Sequence, residues 1–292
     1  MSVKLRGVIA VTTTIGAEFD NISEIYDSTR QAATEAELKA VSSELSDCRT
    51  ILDVGVGTGR FAKPLSDIGF EIVGIDLSRK MMLKARQKGV QNLILADAHN
   101  MPFKDESFDA SIIIHVLHLV PDWLKVAREM GRVTKHRVAA LLRNRQREWS
   151  STRDMSGNMA ASPVFPELWT RYAQLREEMG YPLRRNRRMW QNEEEIRSKL
   201  PPMKLVKVSD EIVVTSISDL ITRFQQRSYP MQQDIPADVQ DKIVKELLAS
   251  IVKAKHDGKD AISILQEKKM ERRIVEELAI WRPDQLRQGV HS

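Results

Sequence analysis

Ile51 to Arg60 read ILDVGVGTGR, a buried-strand pattern running into glycines at 55, 57 and 59. Glycines at alternate positions let the chain bend tightly and let a ligand approach its backbone. An acid, Asp53, stands two residues before the first glycine. A dinucleotide turn, G-x-G-x-x-G, sets its third glycine where this chain has Arg60, and rests a pyrophosphate on the following helix N-terminus. Asp53 would repel that pyrophosphate. The same turn suits a ligand with a positive centre, a free amino group and no phosphate.

Outward from this turn, short apolar runs alternate with helical periodicity. A helical stretch covers 17–46, followed by strand 50–55, helix 59–68, strand 71–76, helix 78–88 and strand 92–96. Strand 108–117, helix 121–133 and strand 137–143 complete the pattern. Runs such as EIVGID and FDASIIIHV are apolar on both faces, as in a parallel sheet covered by helices on each side. The alternation predicts a doubly wound α/β sheet with its ligand across the carboxyl ends of the strands.

Two more acids fall at such ends. Asp76 lies 21 residues after Gly55 at the tip of the second strand, where a carboxylate accepts hydrogen bonds from ribose hydroxyls. The other reading of Asp76 is an acid before a helix N-terminus, worth about 0.3–1 kcal/mol. Leu77 and Met81 offer apolar contacts beside an adenine, although Met81 and Met82 suit a helix core equally. Asp97 ends the third strand, where it and nearby backbone fit the adenine amine. S-adenosylmethionine, with a sulfonium, an ammonium, a ribose and an adenine but no phosphate, meets all these demands.

Composition sets outer bounds. The chain has 292 residues, 42% hydrophobic and 29% charged, as expected of a soluble protein. Its apolar runs are too short to span a bilayer, and its first residues do not read as a signal peptide, so a cytoplasmic enzyme is expected. One cysteine, Cys48, excludes an intramolecular disulfide and a multi-cysteine metal site, and no His/Asp/Glu run has metal-ligand spacing. The net charge of +5 is uneven: −2 over 1–134, +7 over 135–190 and 0 over 191–292. That middle segment, with RNRQR and RRNRRMW, either faces phosphates or an acidic substrate, or is a solvated face.

The segments ILDVGVGTGRFAKPLSDIGFEIVGIDLSRKMMLKARQKG and LADAHNMPFKDESFDASIIIHVLHLVPDW resemble the core of class I S-adenosylmethionine-dependent methyltransferases over about 50–134. The nearest subgroup is the small-molecule branch that includes ubiquinone- and menaquinone-biosynthesis-type enzymes. The resemblance implies a Rossmann-like, seven-stranded, mostly parallel sheet. MKLVKVSDEIVVTS (203–215) would be its sixth strand and MERRIVEELAIWRP (270–283) its seventh, antiparallel. It also implies a cofactor pocket formed by Asp53, Gly55, Gly57, Gly59, Asp76, Leu77, Met81, Asp97 and Ala98. Tyr26, Asp27 and Arg30 of FDNISEIYDSTR would close over it. The whole chain, 1–292, reads as a single methyltransferase domain. Its cofactor-binding half is 47–145, and helical cap segments cover 146–202 and 216–269. Trp169, Tyr172, Trp190 and Tyr229 either line the substrate mouth or form the core of that cap. The family's Lys-Pro-Gly-Gly turn before the fifth strand is replaced by GRVTKHRVAALLR.

Methyl transfer is an in-line displacement in which the protein mainly aligns the partners. A general base is needed only where the acceptor arrives protonated. His115 and His118 stand near the end of the fourth strand, where that base belongs, but their spacing does not put both on one strand face. Either is equally a histidine bonded to backbone at a strand end, whereas the resemblance puts both in the pocket with His118 nearer the substrate. The Asn/Asp-Pro-Pro-Tyr/Phe segment of amino-group nucleic-acid methyltransferases is missing. Three readings follow: a small-molecule methyltransferase, a methyltransferase of RNA or protein drawn by the basic segment, and a non-catalytic or NAD-binding Rossmann-like protein.

Overall fold

The computed structural model describes residues 16–28, 30, 32–120, 122–145, 152–153, 159–160, 164–182, 192–229, 232–253 and 269–288. They divide into two compact units, one of residues 1–144, 186–210 and 275–292, the other of 145–185 and 211–274.

In the first unit residues 16–28 form α1, followed by α2 (Glu35–Glu44), β1 (Thr50–Val54) and α3 (Ala62–Asp67). Then come β2 (Glu71–Asp76), α4 (Arg79–Gln87), β3 (Asn92–Leu95) and β4 (Phe108–Ile114). After them run α5 (Trp123–Val133) and β5 (Thr134–Arg145). Two later strands, β6 (Lys204–Ser216) and β7 (Lys269–Trp281), join to give one seven-stranded sheet of order β3-β2-β1-β4-β5-β7-β6. The pairs β1–β2, β1–β4, β2–β3 and β4–β5 are parallel, and β7 is antiparallel, as the resemblance implied. With strand period two, both faces are apolar. Leu52, Val54, Ile113, Val138, Ala140 and Trp281 pack with Trp123, Val126 and Met130 of α5. Ile51, Ile112, Ile114, Ala139, Leu141 and Ile280 turn to the other face, against Val41 and Leu45 near α2 and Leu65 of α3.

The long helical stretch expected over 17–46 is in fact two helices. Thr34 caps α2: its Oγ1 accepts from Glu37 N at 3.2 Å while its own N–H donates to Glu37 Oε2 at 2.6 Å. This capping box starts a new helix where the apolar periodicity runs on. The helix expected from 59 begins only at Ala62, because the turn continues through Phe61. The fourth strand ends at Ile114, not 117, because His115 takes a left-handed backbone with φ 57°. At the opposite end of the sheet, the Asp109 carboxylate accepts from Arg49 N at 3.0 Å and Thr50 N at 2.9 Å, tying β4 to the start of β1.

The second unit contains α6 (Val164–Glu178), α8 (Ile217–Gln225) and α9 (Ala237–Lys253), with a short antiparallel pair, Thr152–Arg153 and Met159–Ala160. The intervening α7 (Asn192–Lys199) and the final α10 (Pro283–Arg287) belong to the first unit. The core of the second unit is aromatic: Tyr172 stacks on Phe224 at 4.2 Å, and Trp169 and Tyr229 meet Phe224 edge-on or tilted. A buried Arg176 donates to Tyr181 O at 2.8 Å and pairs with Asp234 at 3.0 Å.

Gly55 shows how closely the turn after β1 is constrained. Its φ is 78°, and a Cβ there would lie 2.5 Å from Val116 Cγ2. Gly55→Ala is therefore expected to destabilise the chain by about 1–2 kcal/mol for the left-handed backbone plus the clash. In a Val116→Ala background only the backbone penalty should remain, so denaturant titrations of the four-member cycle must show positive coupling. At the other end of the sheet, Asp109→Asn should cost about 1–3 kcal/mol at neutral pH, the usual worth of hydrogen bonds to a charged group. Those bonds hold the Asp109 carboxyl well below the usual range, so its stabilisation is present above that range and fades as pH falls. The mutant's deficit should therefore shrink in acid.

Candidate cofactor and active site

The three turn glycines do different work. Gly55 makes room for Val116, and Gly59, with φ 78°, makes room for Val90 and Ala85. Gly57, with φ 54°, meets nothing nearer than the Gly55 carbonyl at 4.0 Å, so its side is open to a ligand. Its N–H donates to Asp76 Oδ2 at 2.8 Å, and Ser78 N donates to Asp76 Oδ1 at 2.8 Å. Asp76 thus joins the turn to the start of α4, leaving each carboxylate oxygen a second lone pair. Burial raises the Asp76 carboxyl, against the backbone donors of Ser78, Gly57 and Leu77.

Asp53 is 3% exposed, and no described residue donates a hydrogen bond to it. Burial, and then the charge of Asp76, pushes its carboxyl up to about 7. The sequence put this acid beside the turn but gave no sign that it would be so strongly desolvated.

Asp97 Oδ1 accepts from His99 N at 2.9 Å and lies 2.6 Å from His99 Nδ1. Burial raises the Asp97 carboxyl, but its bonds to His99 outweigh that and lower it overall. Ala98 packs against the core beside it. Met81 is 1% exposed, and its N–H donates to the Ser78 cap of α4, so it is placed as helix core. Leu77 is half-buried, its carbonyl 2.9 Å from where a Gly16 Cβ would stand.

Helix α1 lies over this end of the sheet. Asp20 accepts from Ser78 Oγ at 2.5 Å and Lys80 N at 3.0 Å. Asp27 accepts from Thr58 Oγ1 at 2.7 Å and pairs with Lys88 at 2.6 Å, while Arg30 stacks over Tyr26 at 5.6 Å. The Tyr26–Arg30 segment is therefore fastened to the glycine turn through Asp27.

Past β4, both histidines leave strand geometry. His115 Nε2 lies 3.7 Å from Glu37 Oε1 and 3.8 Å from Glu276 Oε1. His118, in a 3-10 turn over 117–119, has Nδ1 3.9 Å from Glu193 Oε1. Arg60 reaches both Glu37 oxygens at 3.0 Å, and Arg143 Nε donates to Glu276 Oε1. Burial raises the Glu37 carboxyl, but His115, Thr34 N and Arg60 outweigh it and take it down to about 2. Burial lowers the His115 imidazole. Among the described residues, Glu37, His115 and Glu276 are a trio whose donor atoms lie within 4.8 Å of one another, the spacing of a metal site. Two guanidiniums already balance both carboxylates, so the trio is a neutral polar cluster in which a dication would have to displace an arginine.

Sequence reasoning missed Glu37, Arg60 as its partner, and Glu276. The Thr-x-x-Glu box at 34–37 was a usable signal for Glu37, whereas Glu276 arrives from a strand over 160 residues beyond β4 and left none. Trp169, Tyr172 and Tyr229 lie in the apolar core of the second unit, and Trp190 falls outside the described residues. Much of the described basic segment is neutralised internally: Arg137 by Asp47, Arg143 by Glu276, Arg171 by Glu178 and Arg176 by Asp234. RRNRRMW and the end of RNRQR lie outside the described residues. Among those described, no helix is long and apolar enough to cross a membrane.

Residues 52–142 match the family model described as a methyltransferase domain. The chain is 36% identical over 121 residues to an uncharacterised protein of Methanocaldococcus jannaschii, covering 40% of this chain and 56% of that protein. It is 32% identical over 128 residues to the demethylmenaquinone methyltransferase of Renibacterium salmoninarum, covering 41% and 54%. To a phosphatidylethanolamine N-methyltransferase of Cereibacter sphaeroides it is 36% identical over 92 residues, covering 29% and 45%. The chain thus spans about half the length of the curated relatives it matches. Residues 52–142 thus carry a methyltransferase domain, set in a seven-stranded sheet whose last strand is antiparallel.

Proposed function

We propose that this chain binds S-adenosylmethionine at the carboxyl ends of β1, β2 and β3 and transfers its methyl group to a small-molecule acceptor. One observation carries the reading: the turn is open at Gly57, whose own N–H donates to Asp76, and Asp53 lies close enough to Asp76 for that charge to raise its carboxyl. Arg60, the cation nearest the turn in sequence, is committed to Glu37 and unavailable to a phosphate. Such a site selects a cation over a pyrophosphate.

Bound there, S-adenosylmethionine supplies an electrophilic methyl and a neutral thioether leaving group. The free lone pairs of Asp76 accept the ribose hydroxyls, Asp53 faces the ammonium, and Asp97 and the backbone at Ala98 receive the adenine amine. Leu77 flanks the adenine. The Tyr26–Arg30 segment, tied down by Asp27, covers the site and excludes water. His115 and His118 follow β4, where a protonated acceptor would meet a base. Two of the relatives, named as a demethylmenaquinone methyltransferase and a phosphatidylethanolamine N-methyltransferase, support a small-molecule acceptor.

Calorimetry is expected to detect S-adenosylmethionine binding and none of NAD; the reverse result overturns the reading. Asp76→Ala should weaken binding at least tenfold in a variant that still melts cooperatively above the assay temperature. The pH dependence has a defined sign. A ligand cation favours ionised Asp53, so binding releases a proton, and affinity should rise as pH climbs through about 7 and level off above it. Titrations in buffers of different ionisation enthalpy measure that proton, and Asp53→Asn should abolish both the release and the slope.

A further inference from the structure

The histidine after β4 sits in surroundings more specific than a base at a strand end requires. Glu37 from α2 and Glu276 from β7 approach His115 Nε2 from two elements, at 3.7 and 3.8 Å. Their side chains are 2% and 8% exposed, and Nε2 is sealed from solvent with no hydrogen bond. The side chain keeps 17% exposure, none of it at Nε2. Nδ1 is therefore the nitrogen left open. Carboxylates only accept hydrogen bonds, so a proton on Nε2 is attracted by both acids, whereas a lone pair there would face their negative oxygens. The next residue, Val116, fills the space beside Gly55 of the glycine turn.

We propose that Glu37 and Glu276 are positioning residues that hold neutral His115 as its Nε2–H tautomer, presenting the Nδ1 lone pair as the base for an acceptor that arrives protonated on oxygen or nitrogen. This rests on the methyl-transfer reading above. In the step, the acceptor's heavy atom forms a bond to the methyl carbon as the carbon–sulfur bond breaks, and that electron pair stays on sulfur. The acceptor proton passes to His115 Nδ1. The positive charge thus moves from the sulfonium to an imidazolium flanked by two carboxylates. The charged groups facing the ring are Glu37, Glu276, Arg60 and Arg143, whose formal charges sum to zero before the step. Catalytic hydrogen bonds commonly tighten from such lengths in the substrate complex.

Long-range proton–nitrogen spectra of the full chain with labelled histidines test the tautomer without any acceptor. The His115 signal is assigned by its loss in His115→Asn, a residue that tolerates the left-handed backbone. The expected result at pH 7 is a protonated Nε2 and a bare Nδ1. Glu37→Gln, which keeps the helix cap, and Glu276→Gln should each lower the apparent pKa of His115, with melting temperatures reporting that both variants fold. A protonated Nδ1, or an unmoved pKa in both folded variants, overturns the inference. Shifts of the His115 signals on adding one equivalent of zinc would also overturn it, by assigning the cluster to a cation. With an acceptor identified by product screening, His115→Asn should lower kcat at least 100-fold at unchanged S-adenosylmethionine affinity, and Glu276→Gln should move the acid limb of the rate profile. Unchanged kcat in His115→Asn removes the base. Failure of S-adenosylmethionine to bind the unaltered chain sinks the methyl-transfer reading instead, and the spectra distinguish the two failures.

Discussion

The Asp76 carboxylate is the tie on which the rest of the site depends. One oxygen takes the Gly57 N–H of the turn and the other the Ser78 N–H at the start of α4. Two chain reversals, after β1 and after β2, are thereby held against each other by one side chain, and charge-assisted bonds of this kind are roughly twice as strong as neutral ones. Ser78 extends the tie: its hydroxyl caps α4 through Met81 N and donates to Asp20 of α1. The turn, the second strand end and the covering helix are thus fastened in series, and the open side of Gly57 belongs to a surface already shaped.

Charge is sorted sharply around that tie. Asp53 and Asp76 stand without a described basic partner, while Arg60, adjacent to Gly59, swings away to Glu37. Had Arg60 faced the turn, it would have neutralised the acids and favoured a phosphate. The same salt bridge brings α2 next to His115, so one arginine both keeps the turn acidic and builds the polar cluster after β4. In a low-dielectric setting a displaced charge is felt over several ångströms, so neither arrangement is independent of the other.

The sheet was legible in the sequence because its signal is local. Apolar runs on both faces of 50–55, 71–76 and 108–117 leave few alternatives, and strand limits differ from expectation by three residues at most, the fourth strand stopping three early at His115. The acids at 53, 76 and 97 were legible for the same reason, since each lies at the end of a strand. What escaped was set by tertiary contact. The break between α1 and α2 depends on a capping box inside a continuous amphipathic pattern. The burial that raises Asp53 depends on what packs over it. Glu276 reaches His115 only because the last long strand inserts between β5 and β6. The aromatics at 169, 172 and 229 carry no sequence mark separating a core from a mouth, and packing placed them in a core.

His115 raises a question of energy. A non-glycine residue at φ 57° stores about 1–3 kcal/mol of backbone strain, and burying an imidazole beside two carboxylates and two guanidiniums adds a desolvation penalty. A glycine would relieve the first term and an aromatic residue the need for the acids. Neither would present a lone pair at the carboxyl end of β4. The strand ends where it does because this residue turns out of it, and the turn directs the ring to Glu37 and Glu276, not along the strand face. Strain of this size persists where the surroundings over-determine a conformation, and here they do so from three sides: the α2 acid, the β7 acid, and Val116 wedged against Gly55. A conformation fixed so fully, at a position where stability alone would favour another residue, is what separates a positioned imidazole from a histidine that merely ends a strand.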